Sequence, residues 1–505
     1  MNQIKAGAVL NYVIIGLNTL VGLAYTPYML RCLGQNDYGL YSLVASVIAY
    51  LTILDFGFGN AIIRYTAKFR AEGKRQEQWE MFGMFLIVYS VIGLLALAGG
   101  FGLYFNVDAL FDRTMTEADL AQARTMMLLL TLNLAFTFPL SIFGSIISAY
   151  ENFVFQRLVN ISRIILSTGV LILVLAIGYK AVALVVVQTV FNLLTLLINY
   201  VYCKKKLRIR IVFGKFDLAF IKEIAAYSFW IFLNAIMDKI YWGTGQFVLG
   251  ALCGTVAVAV FSVAILLQQM YMTFSTSIVS VLLPRVTAMV AHSSTDKEIS
   301  DLFIRTGRIQ CLVISLVLCG FVVFGAPFIK FWAGADYAGA YIITLIFFAT
   351  LFTPLIQNTG IVILQARNQM KFRSLLYLGI SLASLGLQIV LARHYGALGS
   401  AIAIGLALLA GQGLIMNIYY HKCQHIDIGR FWREICRQLA APALLTAVAA
   451  MAWNALGYNS AAAMILGIVI FAALFVVVIW KFSMNQSERR LVLSPLQSIA
   501  YRIRR

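Results

Sequence analysis

The sequence predicts an all-α polytopic membrane protein of about fourteen transmembrane helices. Three observations carry that prediction. Of 505 residues, 61% are hydrophobic and only 12% charged, with a mean hydropathy of +0.87; this is too little polar surface to cover a soluble core of such size. The apolar residues gather into fourteen runs of about 17–25 residues or slightly more, the length a helix needs to cross a bilayer, tilted where longer. The runs do not alternate as the strands of a transmembrane barrel would, and a backbone in lipid must satisfy its own hydrogen bonds, so helix is the default.

In chain order the runs cover residues 8–30, 38–62, 81–105, 125–149, 158–178, 181–202, 225–252, 255–283, 309–329, 340–364, 374–392, 397–420, 438–456 and 460–480. The first is too long for the apolar stretch of a cleavable signal and is followed directly by another span. The second carries a single acid, Asp55, and the glycine-rich stretch Phe56-Gly57-Phe58-Gly59-Asn60. It stops at Arg64, followed by Lys68, Arg70, Lys74 and Arg75. The seven cysteines form no CxxC pair and lie mostly in or beside spans, which reads as buried reduced thiols rather than a disulfide framework.

Sidedness follows from the basic residues. With both termini inside, 32 of the 39 Lys and Arg fall on the cytoplasmic side and 6 outside; Lys239 lies within a span. That bias fixes the orientation. It also accounts for the net charge of +19 through anionic lipid rather than nucleic acid. The longest external loop, 106–124, is acidic, with Asp108, Asp112, Glu117 and Asp119. No extramembrane segment is long enough for a folded catalytic domain, and no phosphate-binding loop sequence is present.

A repeat underlies the spans. Shifting the chain by 220 places Gly34 on Gly254 and Leu40-Tyr41-Ser42 on Val260-Phe261-Ser262; Arg64 falls one residue short of Arg285. Spans 1–6 and 7–12 therefore read as two six-helix lobes related by a pseudo-twofold axis along the membrane normal. The expected division is an N-lobe at 1–202, a basic cytoplasmic linker at 203–224, a C-lobe at 225–421, and two extra helices with a basic tail at 422–505. Two parallel lobes around a midplane crevice are how alternating-access transporters are built.

Three charges sit well inside spans: Asp55, Asp238 and Lys239. At the bilayer centre each costs about 2.5–3.5 kcal/mol on insertion scales, so such groups face water, a cavity or one another. On span 7, Tyr227, Ile231, Asn234, Asp238, Trp242 and Gly245 fall along one helical stripe. Span 1 carries a matching stripe of Asn11, Ile15, Asn18, Gly22 and Tyr25. Cavity lining is the favoured reading of both; the alternative is a polar seam between helices. Lys239 is placed to meet a phosphate or an acidic sugar, or else to neutralise Asp238 or Asp55. Asp55 shares a helical face with Thr52 and Gly59 and is a candidate H+ or Na+ site, as is Asp238; a plain hydrogen bond to a neighbouring helix is the slightly stronger reading for Asp55. Its glycines allow close helix approach and a kink. Arg64, Arg163 and Arg285 are candidates for a cationic cytoplasmic vestibule, although sidedness alone also predicts them. His421, Cys423 and His425 alternate, but a metal site needs further ligands. No metal or organic cofactor is expected.

The stretch LGQNDYGLYSLVASVIAYLTILDFGFGNAIIRY resembles the start of bacterial polysaccharide exporters, the Wzx-type flippases of undecaprenyl-diphosphate-linked oligosaccharides such as O-antigen units. AVFSVAILLQQMYMTFSTSIVSVLLPRVTAM resembles the second lobe of the same family. The resemblance in pattern covers most of the chain. It implies transport of a lipid-linked glycan from the inner to the outer leaflet of the bacterial inner membrane, with spans 13 and 14 helping to hold the polyprenyl tail. Membrane lipids and a polysaccharide polymerase are the accompanying partner candidates. The same superfamily offers lipid II or a cationic drug as alternative cargo, and Lys239 argues mildly against the drug. A membrane enzyme of glycan assembly would need a paired acid and base or a metal-binding acidic motif on a loop, and neither is visible.

Overall fold

The computed structural model describes residues 3–214, 218–279, 295–367, 369–457 and 460–490, with isolated positions 286, 289 and 493. Among the described residues the chain is helical, without strands. Its helices are α1 (Gln3–Leu51), α2 (Phe58–Ala71), α3 (Arg75–Phe105), α4 (Val107–Phe111), α5 (Glu117–Ala149), α6 (Phe153–Ala176), α7 (Ala181–Lys205), α8 (Leu218–Cys253), α9 (Thr255–Val279), α10 (Asp296–Trp332), α11 (Ala340–Ile356), α12 (Thr359–Ala366), α13 (Met370–Leu408), α14 (Met416–Lys422), α15 (Ile428–Leu456) and α16 (Ala461–Val478).

Ten continuous helical stretches of the described chain are long and apolar enough to cross a membrane, or eleven with the bent pair α11 and α12. Two of these stretches each hold two spans, because a glycine with non-helical geometry interrupts them: Gly34 (φ 73°) in α1 and Gly396 (φ 56°) in α13. With the 36-residue α8, the expected fourteen are reached.

The repeat has backbone landmarks. Gly34 and Gly254, related by the 220-residue shift, both take positive φ (73° and 85°), and Gly178 and Gly396 do the same later (98° and 56°). Each marks a junction between consecutive spans, at a conformation glycine adopts without a steric penalty.

By packing, the chain divides into one unit of Met1–Ser262 with Ala392–Ala397 and another of Val263–Leu391 with Leu398–Arg505. This division is not the one expected from the repeat, which puts a boundary at 203–224. The difference comes from α8. Tyr50 Oη and Thr244 Oγ1 are 2.7 Å apart, Phe56 stacks on Phe232 at 4.5 Å, and Thr114 Oγ1 donates to the Gly250 carbonyl at 2.7 Å. These contacts tie the seventh span to the first unit.

Within the first unit, α3 packs on α5 so closely that a Cβ on Gly100 would lie 2.1 Å from the Thr131 side chain. Part of the basic linker is also anchored here: Val212 N–H donates to the Trp79 carbonyl at 3.2 Å, and Arg210 lies 5.6 Å from the Trp79 ring centre. At the end expected outside, Lys180 pairs with the buried Asp37 at 3.0 Å, and Asn36 donates to Asp119 at 2.7 Å.

In the second unit one core gathers Ile299, Phe303, Ile363, Tyr420, Phe431 and Ile435. Another places Phe324 of α10 against Trp453 and Phe471 at 4.9 and 5.9 Å, so the final two spans pack on α10 rather than trailing away. A buried ion cluster forms nearer the start of α10. Arg308, 7% exposed, donates through Nε and Nη2 to the two oxygens of Glu488 at 2.6 and 3.0 Å, and through Nη1 to Glu434 at 2.9 Å. Glu488, 2% exposed, also accepts from the Asn485 N–H at 2.9 Å.

All seven cysteines are free. Cys203 and Cys311 are buried and Cys253 and Cys319 half-buried, whereas Cys32, Cys423 and Cys436 are exposed. For those three the expected burial does not hold.

Candidate functional site

The second span is broken where its acid lies. α1 ends at Leu51, a single 3₁₀ turn covers Thr52–Asp55, Phe56 (φ 50°) and Gly57 (φ 71°) take left-handed geometry, and α2 starts at Phe58. A common helical face for Thr52, Asp55 and Gly59 assumed an unbroken helix and does not survive the break. Gly57 supplies the positive φ, and a Cβ on Gly59 would lie 3.2 Å from Ser145 Oγ of α5. Kink and close approach are therefore both present.

Asp55 Oδ1 accepts a hydrogen bond from Tyr89 Oη of α3 at 2.8 Å. Tyr89 is fully buried, set against Phe58 (6.3 Å) and Phe138 (6.5 Å). The half-buried carboxyl thus lies beside a discontinuity in a membrane helix, held by a hydrogen bond from the neighbouring α3. Tyr89 escaped the sequence reading because a lone tyrosine in an apolar span carries no pattern.

On α1, Asn11 and Tyr25 are half-buried and Asn18 is exposed. The Tyr25 hydroxyl is buried with no hydrogen-bond partner among the described residues. On α8, Asp238 is exposed, while Lys239 and Trp242 are half-buried; Tyr241, fully buried, meets Trp242 edge-on at 5.0 Å. The side chain of Asn234 and the whole of Arg285 lie outside the described residues. Arg64 is exposed, with its guanidinium 5.8 Å from the Tyr65 ring. Arg163 is exposed on α6, at a cleft between α5, α6 and α7. His421 Nδ1 lies 3.3 Å from the Ile426 carbonyl, and among the described residues no group of three His, Cys, Asp or Glu could hold a metal ion.

The structure adds a polar track along α7. Gln188 bonds Tyr41 Oη of α1, with Nε2 at 2.8 Å and Oε1 at 3.0 Å. One turn on, Asn192 Nδ2 donates to Asn133 and Thr137 of α5, both at 2.8 Å. Thr195 and Asn199 follow at the cleft. These positions fall at i, i+4, i+7 and i+11, the spacing of one helical face, and the stripes on spans 1 and 7 were recognised by the same signal.

Residues 4–290 match the family model described as "Polysaccharide biosynthesis protein". A Bacillus subtilis (strain 168) protein named "Uncharacterized membrane protein EpsK" is 20% identical over 432 residues, 84% of each chain. A Shigella flexneri protein named "Putative O-antigen transporter" is 21% identical over 419 residues, 80% of this chain and 95% of that one. Among solved structures, lipid II flippase MurJ in an inward closed conformation superposes with a TM-score of 0.69 at 16% identity, covering 94% of this chain and 98% of that one. An inward-facing multidrug resistance MATE family transporter of the MOP superfamily gives 0.63 at 12% identity, covering 83% and 95%. At such identities the structural likeness speaks to the fold, whereas the family model spans more than half of the sequence. This multi-pass, all-α membrane protein belongs to the polysaccharide biosynthesis protein family.

Proposed function

We propose that the protein is a flippase, not an enzyme, that moves an undecaprenyl-diphosphate-linked oligosaccharide from the cytoplasmic to the periplasmic leaflet of the bacterial inner membrane. Both termini lie in the cytoplasm. The headgroup passes by polar side chains on α1 and α8 while the polyprenyl tail stays in lipid. Alternating access drives the passage, coupled to an H+ or Na+ gradient through Asp55 or Asp238. Arg64 receives the diphosphate on the cytoplasmic side. A polysaccharide polymerase takes the product on the other face.

The observation that carries this reading is the pair Asp238 and Lys239. Asp238 is exposed and Lys239 half-buried on a membrane helix that is otherwise strongly apolar. Charges at that depth are too costly to face hydrocarbon, which supports a hydrated path past them. Cation and anion side by side suit a sugar diphosphate better than a lipophilic cation.

Deletion of the gene followed by leaflet-resolved measurement of undecaprenyl-diphosphate glycan tests the proposal. Glycan is expected to accumulate on the inner leaflet. Normal surface glycan together with lost drug tolerance would overturn the reading in favour of drug export, and stranded lipid II would reassign the cargo.

A further inference from the structure

We propose that the cleft between α5, α6 and α7 is a binding site for a lipid-borne phosphate whose headgroup also carries a hydroxyl. The cleft has a volume of about 390 Å³ and is built within the first packing unit. α6 contributes Arg157, Asn160 and Arg163, which follow one another at i, i+3 steps and so form one ridge. On the other flanks of α6, Leu158, Ile165 and Leu166 are 49%, 53% and 58% exposed, as lipid-facing residues are. The polar ridge is therefore a local departure from an apolar helix.

The cations in the cleft are not neutralised. No carboxylate lines it, and among the described residues every ion pair within 4.0 Å involves other groups. Arg163 Nη2 reaches only the Asn160 amide oxygen, at 3.5 Å. Two guanidiniums sharing a recess without a counter-ion repel one another and attract an anion, and Arg is the side chain best matched to phosphate.

The opposite wall supplies the second half of the site. Asn199 of α7 is 8% exposed, and its Oδ1 is buried without a partner among the described residues. A buried amide oxygen left without a hydrogen bond is destabilising. It accepts where the arginines donate, so the complementary ligand presents an O–H beside its phosphate. On the α6 side, Gln156 Oε1 is already committed to Ser148 Oγ of α5 at 2.9 Å.

A polyprenyl diphosphate sugar and phosphatidylglycerol both carry this chemistry. The site goes beyond the flippase reading, since binding is measurable without transport and neither result decides the other. The test uses the full chain in nanodiscs of phosphatidylcholine, titrated with farnesyl-diphosphate N-acetylglucosamine in one arm and phosphatidylglycerol in the other. The Arg157→Gln/Arg163→Gln variant is expected to bind at least one probe about tenfold or more weakly, as loss of charged hydrogen bonds predicts. Arg157→Lys/Arg163→Lys keeps charge and is expected to keep part of the affinity, which separates site loss from misfolding. The Lys68→Gln/Arg75→Gln variant, an equal loss of charge at exposed positions, is expected to bind as the wild type does. Asn199→Leu is expected to weaken phosphatidylglycerol but not phosphatidic acid, which lacks the headgroup hydroxyl. Loss confined to the diphosphate sugar identifies a cargo station, and loss confined to phosphatidylglycerol a structural lipid. Unchanged affinity for both probes, or an equal fall in the Lys68/Arg75 variant, overturns the proposal.

Discussion

The Glu488→Leu substitution removes both oxygens that hold Arg308 Nε and Nη2. It leaves the guanidinium, 7% exposed, with Glu434 at 2.9 Å and the Ser483 carbonyl at 3.0 Å. Breaking a buried ion pair by deleting one partner costs about 3–5 kcal/mol, because the other charge stays desolvated. Glu434 is 39% exposed and relieves part of that cost, so about 3 kcal/mol is expected. Arg308→Met/Glu488→Leu removes both charges and is expected to fall within about 1 kcal/mol of the wild type. The readout is trypsin cleavage near Arg489 in detergent micelles, with opening and closing fast relative to cutting. Cleavage then follows the open population, and 3 kcal/mol corresponds to an increase of about a hundredfold in the single variant. A single variant as resistant as the wild type would refute the reasoning. So would a double variant as labile as the single one, since the uncompensated charge would then not be the cause.

Gly57→Ala forces a β-carbon into left-handed geometry (φ 71°) and is expected to cost about 1 kcal/mol, read as lower thermal stability; Gly57→Asn is expected to cost less. Gly100→Ala would set its Cβ 2.1 Å from Thr131 and is expected to lower the amount of folded protein by about 1–3 kcal/mol of stability. Asp55→Asn keeps an acceptor for the Tyr89 hydroxyl, so the protein level should hold while gradient-driven export is lost; full export across pH would remove Asp55 from coupling. Lys239→Ala should reduce surface polysaccharide at an unchanged protein level, and a fall in level instead would assign Lys239 a structural role.

The number, order and rough ends of the spans were legible in the sequence because transfer of apolar helices into lipid dominates every other energy there. The repeat was legible as well, and Gly34 and Gly254 turned out to share backbone geometry as well as alignment. Features set by packing were not legible. The break at Asp55 depends on Phe56 and Gly57 taking positive φ, which hydropathy does not encode. Angles drawn on an ideal helix through that point were consequently misleading. Arg308 counted only toward sidedness, since its partner Glu488 lies 180 residues away. The assignment of α8 to the first unit rests on contacts such as Tyr50 with Thr244 and could not be read from the phase of the repeat. The Gln188–Asn199 stripe was open to the same periodic reasoning that found Asn11–Tyr25, which stood out only through its match to the charged stripe on span 7.

Reconstituted transport tests the central claim most directly. Purified protein in proteoliposomes, given undecaprenyl-diphosphate-linked oligosaccharide and an imposed ion gradient, is predicted to move the glycan to the opposite leaflet, and the Lys239→Ala variant to do so far more slowly. Equal leaflet exchange with and without the protein would contradict the claim.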